Sequence, residues 1–238
     1  MQKIYLVTLL WIVCACGDSS SPYDTRAVGS LDKLAENIGG LNSCSYTLDV
    51  VIASEGDSAQ VINQHDVYLR GPDKMHILTR GTKGRKGYWY NGSELAYFSF
   101  DQNVYDTISA PETIMATVDH VNKTYGIDFP ATDLFYPTLT DDVLEHYDSL
   151  YYRKDVIADM PQLIGIEAVN DRERVYVLID TVTYFPNRFV IKKLGVDGEV
   201  YDASFSNWRI NPELPDILFE FEPPTSATRK IIQPKKAM

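Results

Sequence analysis

The strongest constraint on the fold of this chain is a recurring alternation of apolar and polar residues. From Tyr46 to Ile52, every second residue is apolar, and Thr47 and Asp49 stand between them. Because successive side chains of a β-strand point to opposite faces of a sheet, this pattern predicts a half-buried strand. Comparable segments at short intervals predict an antiparallel meander with strands over 46–52, 61–70, 75–80, 88–91, 94–100 and 104–108.

The connections within this meander carry residues that favour turns. Segments 55–58, 71–73 and 101–103 are short and polar, and Asn91-Gly92 is typical of a two-residue type I′ hairpin. Residues 81–87 predict a basic, glycine-rich connection. Its centre, Lys83-Gly84-Arg85-Lys86, has two interpretations, a solvated hairpin tip or a contact for anionic lipid head groups or an acidic partner.

Helical periodicity appears before the meander and again after it. Residues 28–38 have apolar side chains at helical spacing, and Gly39-Gly40 ends that helix. A second helix is predicted to begin at Pro111 and to end at Gly126. A short apolar segment at 134–136 follows, and a third helix is predicted from Thr140 to about Leu150. Together these segments form a helical block in the middle of the chain.

Strand patterns resume after the helical block. The predicted strands cover 151–158, 163–169, 174–180, 188–194, 200–208 and 217–222. Two runs of antiparallel strands with helices between them indicate one strongly curved sheet, mainly β with some α. The short helices then form a lid over its concave face. Because a few short helices do not fill a wide concave face, an apolar cavity is expected there, and such cavities are ligand sites by default.

The first residues have the pattern of a secretory signal. Lys3 precedes an apolar run over residues 4–13, which is too short for a bilayer of roughly 20 helical residues. Residues 13–17, Val-Cys-Ala-Cys-Gly, resemble a bacterial lipobox, in which Cys16 receives a diacylglyceryl group and becomes the new N-terminus. The alternative is an ordinary signal peptide with two incidental cysteines. The lipobox interpretation predicts a protein that is anchored to the membrane by several acyl chains.

This interpretation divides the chain into four parts. They are a signal peptide at 1–15, a lipidated Cys16 with its tether at 16–27, one domain at 28–227, and a basic, frayed tail at 228–238. In proteins with such a lipobox, an Asp directly after the lipidated Cys is the signal for retention in the inner membrane. Here Gly17 has that position and Asp18 follows it, which favours the outer membrane. Cys44 is then the one unmodified cysteine, so no intramolecular disulfide is expected, and it is predicted to be a small buried hydrophobe.

The charge balance excludes one large class of partner. The chain has 22 basic and 33 acidic residues and a formal net charge of −11. Because a protein that neutralises phosphates needs clustered Lys and Arg, nucleic acid is not an expected partner. Three Cys and 4 His are too few and too scattered for a metal framework, so neither a metal nor a cofactor is predicted.

Several short motifs, in order, resemble a known family. They include Arg70-Gly71-Pro72-Asp73, Asn103-Val104-Tyr105, Ala110-Pro111-Glu112 and the C-terminal Phe219-Glu220-Phe221-Glu222. The chain resembles the predicted periplasmic proteins grouped as domain of unknown function 2092. That family is similar to lipoprotein carrier and receptor proteins of the LolA/LolB type. The resemblance implies a half-barrel with a helical lid over a cavity for acyl chains, and it implies no catalytic residues. The Trp that this resemblance suggests near 176–178 is absent.

The candidate ligand-binding residues come from the predicted lid stripe and the predicted strands. The lid stripe can contact a lipid or simply pack as core, and a one-residue register error exchanges the two faces of every strand. Phe100, Ile191 and Phe221 belong to the same set of sheet residues. The candidates are Leu48, Val50, Ile52, Phe98, Ile114, Met115, Val118, Val121, Phe189 and Phe219.

The sequence therefore predicts a lipid-anchored extracytoplasmic protein that binds a lipid or an acyl chain and possesses no enzyme activity. Asp142 and His146 are helical neighbours beside Asp141, but no nucleophile elbow, phosphate loop or zinc motif accompanies them. The expected partners are the hydrophobic ligand, the membrane through Cys16 and an envelope protein. The alternative hypothesis is a non-catalytic platform in an envelope complex, with a dry core.

Overall fold

The computed structural model describes residues 21–54, 60–154, 160–195 and 198–235. The predicted signal peptide, Cys16 and the predicted turn at 55–58 lie outside this part of the chain. The described helices are α1 (Thr25–Gly39), α2 (Ile114–Tyr125) and α3 (Leu139–His146), and two short 3-10 helices cover Thr132–Phe135 and Asp216–Phe219.

The described strands form one open, curled sheet of twelve strands. Its order is β12-β6-β5-β4-β3-β2-β1-β11-β10-β9-β8-β7. The strands are β1 (Ser43–Ala53), β2 (Val61–Arg70), β3 (Lys74–Gly81), β4 (Gly84–Tyr90), β5 (Glu94–Ser99), β6 (Val104–Ser109), β7 (Ser149–Arg153), β8 (Leu163–Val169), β9 (Glu173–Asp180), β10 (Pro186–Lys193), β11 (Val200–Ile210) and β12 (Thr228–Arg229).

The two predicted runs of strands join at the middle of this sheet. β1 pairs with β2 on one side and with β11 on the other, and all three are antiparallel. The first run, β1 to β6, extends in one direction, and the second run, β7 to β11, extends in the other. The long-range pairing of β1 with β11 therefore makes one sheet of two local meanders, and the predicted fold class is confirmed.

Helix α1 packs an apolar stripe against the sheet. The Asp24 carboxylate accepts a hydrogen bond from the Arg26 backbone N–H at 2.9 Å, which caps the helix and starts it three residues before the predicted boundary. Ala27, Leu31 and Leu34 are almost fully buried, in agreement with the helical spacing.

The middle helices begin and end at different residues from those predicted. Pro111 precedes α2, because Thr113 is the capping residue and its hydroxyl accepts from the Ala116 N–H at 3.2 Å. Gly126 ends α2 with a φ of 70°, as predicted. The third helix stops at His146 instead of Leu150, because Leu150 pairs with β8 in the sheet. We call residues 114–146, which contain α2, the 3-10 helix Thr132–Phe135 and α3, the lid.

Two predicted turns are displaced. β3 and β4 extend into the predicted connection at 81–87, so Arg85 and Lys86 are strand residues. The β4–β5 turn is centred on Gly92 and Ser93, because Asn91 pairs with Glu94 through an N–H to carbonyl hydrogen bond of 3.3 Å. The prediction of a turn centred on Asn91-Gly92 was wrong by one residue.

The C-terminal part of the chain lies across the sheet and is ordered by it. Residues 217–222 are not a strand, because Asp216–Phe219 is a 3-10 helix. The described part of the predicted frayed tail pairs instead with the sheet edge, where β12 runs parallel to β6. Further on, the Lys235 N–H donates to the Thr124 carbonyl at 2.7 Å. We call residues 213–235 the C-terminal strap.

The lid covers one face of the sheet, and the first part of the strap, with Phe219 and Phe221, covers the other before the chain turns around the β6 edge. We call the face that packs against α1 and the lid the inner face, and its side chains form one apolar cluster with these helices. The outer face carries Tyr68, His76 and Trp89, and Phe221 of the strap packs on Trp89 with ring centroids 4.9 Å apart.

Candidate functional site

A cavity of about 940 Å³ lies between the lid and strands β8 to β10. Its sheet wall consists of two rows of apolar side chains that cross three strands. In one row Ile166 pairs with Val177, which pairs with Phe189; in the other, Val175 lies between Ala168 and Ile191. The strand register therefore builds a continuous apolar wall on the inner face.

The lid supplies the opposite wall of the cavity. Leu134 and Leu139 are almost fully buried and face the cavity with Val143. Leu31 of α1 and Leu150 of β7 complete the apolar lining. A second hollow of about 600 Å³ adjoins the first and shares with it five lining residues, which are Asp119, Asp133, Tyr136, Phe189 and Ile191.

Two tyrosines donate hydrogen bonds to carboxylates, one within the lid and one from the end of α3 to the sheet. The Tyr136 hydroxyl donates to Asp119 of α2, and the Tyr147 hydroxyl donates to Glu173 of β9 at 2.6 Å. Burial raises the pKa of both phenols, and the neighbouring carboxylates raise it further. Both tyrosines therefore stay protonated and remain donors at neutral pH.

Tyr201 is a third phenol at this site. It lines the second hollow, and its hydroxyl is buried without a hydrogen-bond partner among the described residues. Burial is the main reason that its pKa is raised, and the charge of Asp133 adds to the effect. A buried hydroxyl that makes no strong hydrogen bond costs free energy.

The mouth of the cavity is acidic. Six carboxylates are among the described lining residues, whereas Arg172 is the one permanent cation among them. Arg172 lies 3.7 Å from the carboxylate of Asp171, and both side chains are strongly exposed. We call the six carboxylates the rim; they are Asp119, Asp133, Asp142, Asp148, Asp171 and Glu173.

The predicted ligand residues are only partly brought together at this cavity. Phe189 lines both hollows, and Val118 lines the second one. Val121 is fully buried against the core without lining either hollow. Ile114 packs partly buried against the same core, and Met115 is half-buried.

The β1 candidates lie in the core beside the cavity. Leu48 and Val50 are almost fully buried, and Ile52 packs partly buried against them, but none of the three lines either hollow. They face the inner side of the sheet, as the alternation predicts. They do not reach the cavity because β1 is at the centre of the sheet, whereas the cavity lies over β8 to β10.

Two candidates lie on the outer face instead. Phe98 belongs to an aromatic cluster with Phe100 and Phe221, at centroid distances of 4.8 and 5.8 Å. Phe219 of the strap is buried beneath the Arg70 guanidinium, which lies 5.1 Å from its ring centroid. The structure therefore assigns both residues to the contact between sheet and strap, on the face opposite to the cavity.

Sequence reasoning missed the main wall of the cavity. Ile166, Val175 and Val177 lie in correctly predicted strands but were not candidates. β8 is buried on both faces over most of its length, so its sequence shows no alternation that could single out the cavity side. In β9, the pattern Val175, Val177, Ile179 was the available signal.

The other polar motifs serve local structure. Arg85 forms an ion pair with Asp101 of the adjoining turn at 3.2 Å. His146 bonds through Nδ1 to the backbone carbonyl of Asp142 at 2.7 Å, so the ring and the Asp142 carboxylate do not form a catalytic pair. Within residues 21–54, 60–154, 160–195 and 198–235, no group of three or more potential ligand side chains can hold a metal ion.

The sequence of this chain matches one established family. Residues 27–232 match the family described as predicted periplasmic protein, domain of unknown function 2092 (DUF2092). The chain belongs to the DUF2092 family. No curated protein matches it. None of the helices in the described part of this DUF2092 chain has the length and apolar character needed to cross a membrane.

The fold of this DUF2092 protein is similar to several solved structures. A LolA superfamily protein from Nitrosomonas europaea is 13% identical to this chain, with a TM-score of 0.41. The match covers 82% of this chain and 97% of that protein. The lipoprotein LppX of Mycobacterium tuberculosis is 14% identical with a TM-score of 0.46, covering 81% and 98%. MucB of Pseudomonas aeruginosa, in its complex with MucA, is 13% identical with a TM-score of 0.44, covering 83% and 61%.

Proposed function

We propose that this DUF2092 protein binds a hydrophobic ligand, a lipid or the acyl chain of another protein, in the cavity beneath the lid. The observation that carries the proposal is the pair of apolar rows on β8 to β10, closed by Leu134 and Leu139 of the lid. A volume of about 940 Å³ is at the upper end of the range for ligand pockets.

The apolar walls are sufficient to bind a chain without polar contacts. Each buried methylene group contributes about 0.8 kcal/mol, so burial of ten methylenes contributes roughly 8 kcal/mol before the costs of association. A passive mechanism follows, in which the lid opens, the chain inserts and the lid closes. We propose binding and release, and no reaction.

Anchoring is a separate part of the proposal. We infer that Cys16 is lipidated and anchors this periplasmic protein to the membrane, because residues 13–17 have the lipobox pattern. The position of Asp18, one residue later than in the inner-membrane retention signal, favours the outer membrane. The test is incorporation of a labelled fatty acid, together with fractionation of the membranes. Cys16→Ser abolishes the label if the proposal is correct, and an unchanged label contradicts it.

Native mass spectrometry tests the ligand. The chain from residue 17 onward, which retains every described residue, is secreted to a periplasm and purified without detergent. We expect an added mass that organic extraction identifies as a lipid or fatty acid. A bare protein mass that persists after lipids are offered contradicts the proposal and favours the alternative, an interaction platform with a dry core.

A cavity-filling variant links the added mass to this site. Ala168 is buried in the β8 wall, so Ala168→Phe places a ring inside the cavity. We expect the added mass to be lost while the protein stays folded. Ala53→Phe adds the same group at the end of β1, away from the cavity, and serves as the matched control.

A further inference from the structure

The rim of the cavity carries six carboxylates, and binding of an apolar chain by the cavity walls does not depend on them. Its carboxylates come from α2, the 3-10 helix Thr132–Phe135, α3, the residue before β7, the β8–β9 turn and the first residue of β9. Segments that are distant in sequence thus place their acids at one mouth. Among the described residues, Asp171 is the one rim carboxylate in an ion pair. Its partner Arg172 lies 3.7 Å away and both side chains are exposed, so the pair is weak.

On the outer face of the sheet, by contrast, acidic side chains form ion pairs with arginines. Asp66 is paired with Arg80, Asp202 with Arg188, and Glu167 with both Arg153 and Arg174. The general acidity of the chain therefore does not explain the rim, because strand carboxylates elsewhere are placed beside arginines. The rim acids are instead oriented around an opening.

We propose that the cavity selects a long-chain amphiphile whose polar end carries a positive charge, such as a protonated amine. This inference rests on the proposed function, since the chain of the ligand occupies the apolar cavity and its end lies at the rim. A cationic end gains Coulomb energy from several carboxylates at once, whereas a carboxylate or phosphate end is repelled by them.

Two features of the rim support this assignment. Asp133 is exposed at the rim, yet partial desolvation raises its pKa, and the charges of Asp142 and Glu173 raise it further, as expected where these acids share one negative potential. In addition, Tyr136 and Tyr147 direct their hydroxyl hydrogens at Asp119 and Glu173, so these phenols are already engaged and are not free to bind an anion.

The test compares three probes that share a dodecyl chain and differ in the head group: dodecylammonium, 1-dodecanol and dodecanoate. Each displaces a neutral fluorescent probe from the chain beginning at residue 17, at neutral pH. At low salt, where the Debye length is about 30 Å, we expect dodecylammonium to bind at least about tenfold more tightly than dodecanoate, and dodecanol to lie between them. At about 1 M salt, where the Debye length is about 3 Å, this ratio falls towards one.

Two double variants separate the rim from the net charge of the protein. Asp133→Asn with Glu173→Gln removes two rim charges and reduces the ratio. Asp32→Asn with Glu36→Gln removes two exposed charges from α1, away from the cavity, and leaves the ratio unchanged. Ala168→Phe weakens the binding of all three probes, which shows that they occupy the cavity.

The outcomes distinguish this inference from the proposed function. Equal affinities for the three probes overturn the inference and leave the proposed function intact. Equal loss of the ratio in both double variants also overturns the inference, because the preference then arises from net charge. If none of the three probes binds, the proposed function itself fails.

Discussion

At the scale of single residues, the sheet buries two histidines away from the cavity. His76 stacks on Trp89 on the outer face, with ring centroids 4.8 Å apart, and neither of its ring nitrogens has a hydrogen-bond partner among the described residues. His65 Nδ1 lies 2.9 Å from the Thr79 hydroxyl. Burial lowers the pKa of each imidazole from 6.5 to about 4. Both rings are therefore neutral in the folded protein at neutral pH.

These histidines make stability depend on pH. Between pH 6.5 and about 4 the unfolded chain binds protons that the folded chain does not, so the free energy of unfolding decreases as pH falls through this window. The loss is at most about 3 kcal/mol for each imidazole. His76→Phe keeps the stack on Trp89, and we expect it to make urea unfolding less sensitive to pH. Identical pH dependence in the variant and the original protein contradicts this account, and His120→Gln on α2 is the control.

At the scale of elements, the C-terminal strap is held at the β6 edge of the sheet by a buried charge, which lies on the inner face. The Asp106 side chain is 2% exposed and accepts hydrogen bonds from Arg229 Nε at 3.1 Å and from the Ile232 N–H at 2.8 Å. Phe221 packs nearby among Trp89, Phe98 and Tyr105. The edge of the sheet at β6 is thus paired and covered by the same segment.

We expect Asp106→Asn to destabilise the protein by about 1–3 kcal/mol, because the variant removes the charge from a buried, hydrogen-bonded group. Thermal unfolding measures the change, and hydrogen exchange should show faster exchange in β12. Asp101→Asn is the matched control: its pair with Arg85 is exposed, so its expected effect is below about 1 kcal/mol. Equal effects of the two substitutions rule out the special role of Asp106.

The lid is the second element with a specific attachment. Tyr136→Phe with Tyr147→Phe removes both hydroxyl donors to Asp119 and Glu173 while the rings remain. Only the Tyr147–Glu173 bond joins the end of α3 to the sheet, whereas the Tyr136–Asp119 bond lies within the lid. If lid opening limits exchange, ligand release becomes faster by about tenfold, since loss of the one attaching bond, about 1.4 kcal/mol, produces that factor. Stopped-flow displacement measures the rate, and Tyr151→Phe, a partly exposed position on β7, is the control. Unchanged release contradicts the role of these bonds.

At the scale of the whole molecule, two local meanders become one sheet through the β1–β11 pairing, and the first part of the C-terminal strap covers the outer face. The strap crosses from the end of β11 to the far edge at β6, and its Lys235 N–H then reaches the Thr124 carbonyl of α2. One segment therefore connects the centre of the sheet, its edge and the lid. This connection couples the stability of the edge strand to that of the lid.

Removal of residues 227–238 tests this coupling. The truncation deletes β12 and Arg229, the ion-pair partner of Asp106. The backbone groups of β6 that face β12 then lose their partners, while the pairing of β6 with β5 remains. We expect self-association through this open edge, measured by light scattering after size exclusion, together with a lower unfolding temperature. A truncated protein that stays monomeric at the original unfolding temperature contradicts this prediction.

Much of the fold was predictable because its signals are local. β2 and β8 have their predicted bounds, and Gly126 ends α2 where expected. The strand predicted at 217–222 failed although Phe219 and Phe221 alternate, because both side chains cover the outer face without backbone pairing. The site was less predictable: of the ten candidates, Phe189 and Val118 line the hollows.

The sequence by itself determined two runs of antiparallel strands, a helical block between them and the alternation that gives each strand one apolar face. It did so because these features depend on neighbours a few residues apart. Only the tertiary structure decided which face the lid covers, where the cavity lies and that Phe98 belongs to the strap contact. Those outcomes depend on pairing and docking between distant segments. The rim is the clearest case, since Asp119 of α2 and Glu173 of β9 are distant in sequence and line the same cavity.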